Sequence, residues 1–399
     1  MPVRLQDRLV ALIRAGLPAD RTVGIALSGG GDSTALLHLC LRAGLAVEAV
    51  TVDHRLRPES AEEAESVAAA CAALGVRHEI RIWQHGAVPG NLMDAARRAR
   101  MALIGTWARA RGIGVVALGH TQDDQAETVL MGLARAGGLA GLSGMRSGWE
   151  AGGIAFRRPL LAAGREDLRD WLRGAGIAWI DDPSNENDRF TRIKARRALT
   201  ALAPLGITAA RLAEVAGHLA EAQAALSVQL AEVADRHVRE AAGALCVDPA
   251  LQAEPVELRR QLVQAALHWL SGSVPRSADL ARFLTAMSEG RDATLAGCRF
   301  RKGWIFREAR AQGGPVAPGA LWDRRWRLTG MAGGEVRALG AEGLRQYPAW
   351  RDTGLPRQVL EVTPALWQGD RLVAAPLAGF PGDAAALCEP AFHDFGLSH

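Results

Sequence analysis

Ser28-Gly29-Gly30-Gly31-Asp32-Ser33 places two hydroxyls and a carboxylate around three successive glycines. Without Cβ atoms the glycines let backbone N–H groups approach a ligand closely. Such groups, followed by a helix N-terminus, form a ready anion cradle. The apolar run Val23–Leu27 before the loop reads as a strand, and the apolar-rich stretch 34–41 after it as a helix. The loop has neither the Gly-Lys-Ser/Thr ending of one common nucleotide motif nor the GxGxxG of another. The chemistry it suits is binding a polyphosphate. A plain turn between strand and helix would need fewer glycines.

A second constellation is Gly119-His120-Thr121-Gln122-Asp123-Asp124-Gln125-Ala126-Glu127-Thr128. Asp124 and Glu127 stand three apart, and Asp123 and Glu127 four apart, so a helix brings the acids to one face. Helix capping explains one such acid. A histidine with three acids asks for more: a carboxylate group there can hold Mg²⁺, bind a substrate amine or accept a proton. Asp53 and His54, in Val52-Asp53-His54-Arg55-Leu56-Arg57, end another apolar run, and that position beside the loop suits adenosine recognition, with Arg55 or Arg57 reaching phosphates. Arg97 and Arg100 lie one helical turn apart and can clamp phosphate. Between Arg189 and Arg197 five of nine residues are basic and none is acidic, a pattern that suits an RNA backbone. A solvated helix face would carry the same charges.

The elements that must position these residues follow from the hydrophobic pattern. Strands are expected at Val23–Leu27, Ala46–Val52, Val76–Ile82 and Val115–Leu118, with a shorter one near Ile177–Ile180; helical patterns such as Glu59–Leu74 and Leu92–Arg111 alternate with them. That alternation predicts an α/β fold, a doubly wound and mostly parallel sheet. Its ligands bind beyond the carboxyl ends of the strands. The first four strands each end at a polar cluster: Ser28–Ser33, Asp53-His54-Arg55, Gln84-His85 and Gly119-His120.

Pro204 and Gly206 then break the chain. A long helix is expected over Arg211–Val238, its stripe of Leu212, Val215, Leu219, Leu226, Leu230 and Val233 reading as a packing seam. Helices over Val256–Leu270 and Ala278–Met287 follow, then a hairpin of Thr294–Phe300 and Trp304–Arg307 turning at Arg301-Lys302-Gly303. Ala311–Gly319 reads as a linker to a small β-rich module rich in tryptophan and proline. The expected domains are 1–205, catalytic; 206–310, helical and contacting substrate; and 320–399, a small C-terminal module.

The 399 residues carry a formal net charge of +4, and of 47 basic residues only Lys194 and Lys302 are lysines. The balance is mildly favourable to polyanions. Cys40, Cys71, Cys246, Cys298 and Cys388 are odd in number and form no CxxC pair. That excludes a disulfide framework and a cysteine-rich zinc site. The sequence shows no signal peptide and no apolar run of membrane-spanning length, so a cytoplasmic protein without a membrane partner is expected.

The glycine loop resembles the pyrophosphate loop (PP-loop) of N-type ATP pyrophosphatases. Taken in order, the clusters resemble the tRNA(Ile)-lysidine synthase family, which carries SGGxDS, VDHxLR, an RxxR helix, GHxxDDQxET, an RPL tripeptide, and D-P-S/T-N leading to F-x-R. The matching segments are Ser28–Ser33, Val52–Arg57, Arg97–Arg100, Gly119–Thr128, Arg158-Pro159-Leu160, and Asp182-Pro183-Ser184-Asn185 with Phe190-Thr191-Arg192. The likeness covers residues 20–200. Thr121 departs from a second family histidine, Met101 from an aromatic, and Ile193 and Ala195 from an Asn and an Ile in F-x-R-N-x-I-R.

The resemblance implies a PP-loop ATPase domain, Rossmann-like, followed by helical and β-rich parts. It implies ATP and Mg²⁺ as cofactors, and L-lysine and the CAU-anticodon tRNA(Ile) as partners. ATP would adenylate C2 of the wobble cytidine, and the lysine ε-amine would displace AMP to give lysidine. Ser28, Gly29, Gly30, Gly31, Asp32, Ser33, Asp53 and His54 would bind ATP. Asp32, Arg100, His120, Asp124 and Glu127 would serve the chemistry, with Asp32 and Asp124 as Mg²⁺ ligands. Arg97, Arg158, Arg192, Lys194 and Arg196 would meet the tRNA. A homodimer is among the assemblies this allows. The rival readings are a tRNA 2-thiolase of the same superfamily, which would use paired cysteines or an iron–sulfur cluster, and an RNA-binding module with a decayed ATP site.

Overall fold

The structure, a computed structural model, describes residues 5–86, 92–180, 191–330, 333–380 and 382–396. These fall into two compact units, Met1–Gln223 and Ala224–His399.

The first unit runs α1 (Leu5–Gly16), β1 (Val23–Ala26), α2 (Gly31–Arg42), β2 (Val47–Asp53), α3 (Ser60–Ala73), β3 (Arg77–Ile82), α4 (Leu92–Ala110), β4 (Val115–Leu118), α5 (Gln122–Leu133), α6 (Leu139–Leu142), β5 (Gly148–Ala151), β6 (Ile154–Arg157), α7 (Arg165–Gly174) and α8 (Thr191–Leu202), followed by α9 (Ala209–His237). Its sheet has the order β3-β2-β1-β4-β6-β5. All pairings are parallel except β5 with β6. The central strands are buried on both faces, which is why β1 and β4 read as unbroken apolar runs. Successive residues alternate between two cores. Val115 and Ala117 pack with Leu9, Ile13, Leu36 and Leu172 on one face; Val116 and Leu118 pack with Ile104, Trp107 and Phe156 on the other. Chain order reverses between β1 and β4, the switch point at which such sheets bind ligands.

The four main strands lie where the sequence predicts them. The strand expected at Ile177–Ile180 does not form. That stretch is irregular and docks on the glycine loop, with Ile180 N donating to Gly29 O at 2.9 Å. The sheet gains instead the β5–β6 hairpin across Gly152-Gly153, both with positive φ. Asp182-Pro183-Ser184-Asn185 and Phe190 lie outside the described residues.

The second unit holds α10 (Val256–Ser271) and α11 (Ser277–Ser288). The hairpin turning at Lys302-Gly303 is present, with φ of 48° and 79° as a two-residue turn requires. It is part of a larger antiparallel sheet than the sequence suggests. That sheet comprises β7 (Val238–Ala241), β8 (Ala244–Val247), β9 (Ala293–Leu295), β10 (Cys298–Arg301) and β11 (Trp304–Arg307), in the order β7-β8-β11-β10-β9. Six further strands form two three-stranded sheets: β12 (Leu321–Trp322), β13 (Trp326–Thr329) and β17 (Ala385–Cys388), and β14 (Glu335–Ala338), β15 (Pro364–Gln368) and β16 (Arg371–Ala374). Among the described residues no single helix is long and apolar enough to cross a membrane.

Candidate functional site

The loop after β1 is held open by its own side chains. The Ser33 hydroxyl donates to Gly30 O at 2.9 Å, accepts from Ser28 N at 3.2 Å and lies 3.1 Å from Ser28 Oγ. Thr34 Oγ1 donates to Gly29 O at 3.1 Å. No side chain caps the start of α2 at Gly30, so its first N–H groups stay available to an anion. Gly29 has φ +82°, and a Cβ there would come within 2.7 Å of Ile180 and Val67. Gly119, at the end of β4, packs so closely on α2 that a Cβ would lie 3.0 Å from Asp32 O and from Ser33. Gly119 therefore lets the phosphate loop and the histidine–acid cluster come together, while Gly29 lets Ile180 and Val67 close on the loop.

Between them is a cavity of about 280 Å³ lined by Ser28, Gly30, Asp32 and Ser33 of the loop and by Arg100, His120 and Asp124 across from it. Asp124 closes α5 at its start. Its Oδ2 accepts from Thr121 N at 2.8 Å and Thr121 Oγ1 at 3.1 Å, a capping box in which Thr121 serves directly. The capping reading is thus correct for Asp124, yet its other oxygen remains for the site.

That oxygen meets a residue that sequence reasoning missed. Arg165, at the start of α7, donates from Nε to Asp32 at 3.2 Å, from Nη1 to Glu127 at 3.2 Å and from Nη2 to Asp124 at 3.1 Å. Its backbone N donates to Asp123 Oδ2 at 2.7 Å. Burial disfavours the charge on Arg165, but Asp124, Asp32, Glu127 and Asp123 outweigh it and hold the guanidinium firmly protonated. Glu127 is wholly buried and also faces Arg196 Nε at 3.0 Å and Arg192 Nε at 3.3 Å. Arg192 and Arg196 thus turn inward from α8, whereas Lys194 on the same helix is exposed. Nothing local in the sequence marks Arg165. The only hint is the excess of acids, which a fold must neutralise if it buries them.

Burial raises the Asp32 carboxyl above its ordinary value, with Arg165 opposing and Asp124 adding to the rise. Burial also pushes Asp124 upward, but Arg165, Arg192 and the Thr121 N–H reverse the direction and leave it below the usual carboxylate range. His120 is pulled down to about 3 by burial, against Asp124 and with help from Arg158, Arg192 and Arg100. It is therefore neutral. Arg158 Nε donates to His120 Nδ1 at 3.2 Å, which leaves the imidazole proton on Nε2. Arg158 is itself fixed by Arg146 O at 2.7 Å and lies 4.3 Å from the centre of the Trp149 ring. Burial and the neighbouring Arg97 and Arg192 lower it to about 10. Arg100, half-buried, has no hydrogen bond or ion pair among the described residues, while Arg97 feels Arg192 and Asp124.

Asp53 is brought near but committed elsewhere. Its Oδ1 accepts from Arg55 N at 2.8 Å and Ser60 Oγ at 2.7 Å, which ties the turn after β2 to α3. Arg55 sits at φ +50° within that turn. His54 follows, within electrostatic reach of Arg100. The described residues contain no cluster of three His, Cys, Asp or Glu side chains able to hold a metal by themselves. Mg²⁺ asks less when phosphates complete its shell: one or two carboxylates suffice. Asp32 and Asp124, both on the cavity wall beside the loop, fit that demand. All five cysteines are free, and burial raises Cys40 to about 12 and Cys71, Cys298 and Cys388 to about 11. Such thiols are poor nucleophiles.

A family model described as a PP-loop domain matches residues 1–203. The chain is 44% identical to the tRNA(Ile)-lysidine synthase of Ruegeria pomeroyi, covering all of this chain and 99% of the relative. It is 37% identical to that of Zymomonas mobilis over 74% of this chain and 90% of the relative. It is 35% identical to that of Brucella anthropi over 90% and 86%. Among solved structures, the U34-tRNA thiolase NcsA from Methanococcus maripaludis aligns with a TM-score of 0.47 and 18% identity, covering 54% of this chain and 78% of that one.

Proposed function

From the premise that this chain belongs to the tRNA(Ile)-lysidine synthase family, we propose how its own residues carry out lysidine formation. The protein is an ATP-dependent ligase that forms a C–N bond on a tRNA. The finer reading is that ATP adenylates the C2 oxygen of the wobble cytidine in the CAU-anticodon tRNA(Ile), and that L-lysine then displaces AMP. The observation that carries it is the single cavity shared by the phosphate loop and the His120–Asp124 end of α5.

In the first step the C2 oxygen attacks the α-phosphorus, and the α–β phosphoanhydride bond breaks to release pyrophosphate. The backbone N–H groups at Gly30 and Gly31 and the Ser28 hydroxyl hold the departing pyrophosphate, with the Ser33 hydroxyl fixing the loop around it. Arg100, which has no acid partner among the described residues, answers the charge that develops on the α-phosphoryl oxygens. His120 presents Nε2–H as a neutral donor to the same oxygens. Asp32 and Asp124 would hold Mg²⁺, which supplies further charge neutralisation on the phosphates.

In the second step the lysine ε-amine attacks C2 of the activated base, the C2–O bond breaks and AMP leaves with that oxygen. The amine must shed a proton, and a carboxylate of the cluster accepts it. Asp124 and Asp32 line the cavity and are the acids placed to meet the cation, with Glu127 buried behind them and holding Arg165. Arg97, Arg158, Arg192, Lys194 and Arg196 provide positive charge for the anticodon loop. A thiolase reading needs a reactive sulfur, and the buried thiols do not favour it.

Purified protein with Mg·ATP, labelled lysine and the CAU-anticodon tRNA(Ile) should incorporate one lysine per tRNA and release AMP and pyrophosphate. Absence of incorporation, with a sulfur-transfer control run beside it, overturns the reading.

A further inference from the structure

We propose that Trp83, together with His85, forms a stacking surface for an unpaired RNA base next to the reacting cytosine. The proposal rests on the lysidine-forming reading above and adds a specific contact to it. Trp83 follows β3 directly, and its backbone N donates to Asp53 O at 2.9 Å, so the residue is fixed at the carboxyl rim of the sheet. Its ring joins neither hydrophobic core of the first unit, unlike the fully buried Trp107. Instead it meets two other rings. His85 lies 4.2 Å away at an interplanar angle of 34°, and His54 meets Trp83 edge-on at 6.0 Å and 82°. His85 is exposed and Trp83 only half-buried, so the group presents aromatic surface to solvent. His85 Nε2 is 3.3 Å from His54 O, which steadies the pair in this arrangement.

An aromatic cluster that adds nothing to the core has another use. Here it stands at the carboxyl ends of β2 and β3, the same edge of the sheet at which the loop after the neighbouring β1 lines the cavity. Arg55, with its side chain 61% exposed and its Nε 3.7 Å from Asp53, stands beside His54 and brings a cation to the same rim. Flat rings flanked by arginines are how proteins hold unstacked single-stranded bases. The adenine of ATP is the other base available. The cluster sits on the exposed rim rather than on the cavity wall, which favours the RNA.

The test compares binding of tRNA(Ile) to wild type, Trp83→Ala, Trp83→Phe and His85→Ala, with ATP binding measured in parallel. Trp83→Ala should weaken tRNA binding by about 5- to 100-fold, Trp83→Phe should recover most of the loss, and ATP affinity should stay within about twofold. Replacing a base next to the wobble cytosine by an abasic nucleotide should abolish the difference between wild type and Trp83→Ala. Should Trp83→Ala fold poorly, the same cycle run with Trp83→Phe and His85→Ala carries the test. Equal loss of ATP and tRNA binding, or a Trp83 effect that survives both neighbouring abasic substitutions, overturns the proposal. Lysine incorporation by the wild type judges the underlying reaction separately.

Discussion

Arg165 ties together three carboxylates that would otherwise repel one another, using a different nitrogen for each. Removing one partner of a buried charge network leaves the rest uncompensated, at about 3 kcal/mol or more. Arg165→Ala should therefore lower Tm by several degrees and abolish lysidine formation; a stable, active variant would show that the acids do not need it. Glu127→Gln should raise the KM for lysine well above any change in ATP affinity, measured by incorporation kinetics and ATP titration. Unchanged lysine kinetics would remove Glu127 from that role. His120 has its own pH signature. Its folded value, about 3, is below the unfolded value near 6.5, so between these the unfolded chain binds the extra proton. Stability accordingly falls as pH drops below 6.5, by up to about 1.4 kcal/mol per pH unit. Thermal denaturation from pH 7 to 5 should show a shallower decline in His120→Asn than in wild type.

At the scale of elements, Gly119 decides how closely α2 and β4 approach, and Gly29 how closely Ile180 and Val67 pack on the loop. Gly29→Ala would have to accept both a positive φ and a Cβ 2.7 Å from Ile180 and Val67. It should destabilise the protein by about 1–3 kcal/mol and weaken ATP binding, as calorimetric titration would reveal. The loop, the four parallel strands and the acid face of α5 were legible because each is a local pattern: an apolar run, a glycine string, acids at helical spacing. The β5–β6 hairpin escaped because neither strand is the unbroken buried run that marks β1 and β4, although Gly152-Gly153 is a recognisable turn signal. The segment 177–180 has strand-like composition but bonds to the glycine loop instead of a neighbouring strand. Arg165 could not be read at all. Its meaning lies in contacts with residues 38 to 133 positions away, which no periodicity encodes.

At the scale of the molecule, a net charge of +4 says little; where the charge sits says more. Lys194 is exposed on α8, while Arg192 and Arg196 on the same helix are drawn to Glu127. Lys194→Ala should weaken tRNA binding modestly and reduce the slope of log affinity against log salt by about 1, with ATP binding unaffected. An unaltered slope would place the tRNA backbone elsewhere. The guanidinium network around the cavity has a further consequence, for the order of events. Among the described residues, six arginines (Arg97, Arg100, Arg158, Arg165, Arg192 and Arg196) gather near the carboxylates Asp32, Asp123, Asp124 and Glu127, with His120 neutral among them. In the empty site these carboxylates are engaged by guanidinium groups, so under the proposed reaction an incoming lysine must compete with arginine for them. A bound triphosphate offers those guanidinium groups another partner. In the proposed reaction ATP thus acts as the gate for lysine: lysine should bind appreciably only after a non-hydrolysable ATP analogue is in place, and the coupling should fade as salt is raised.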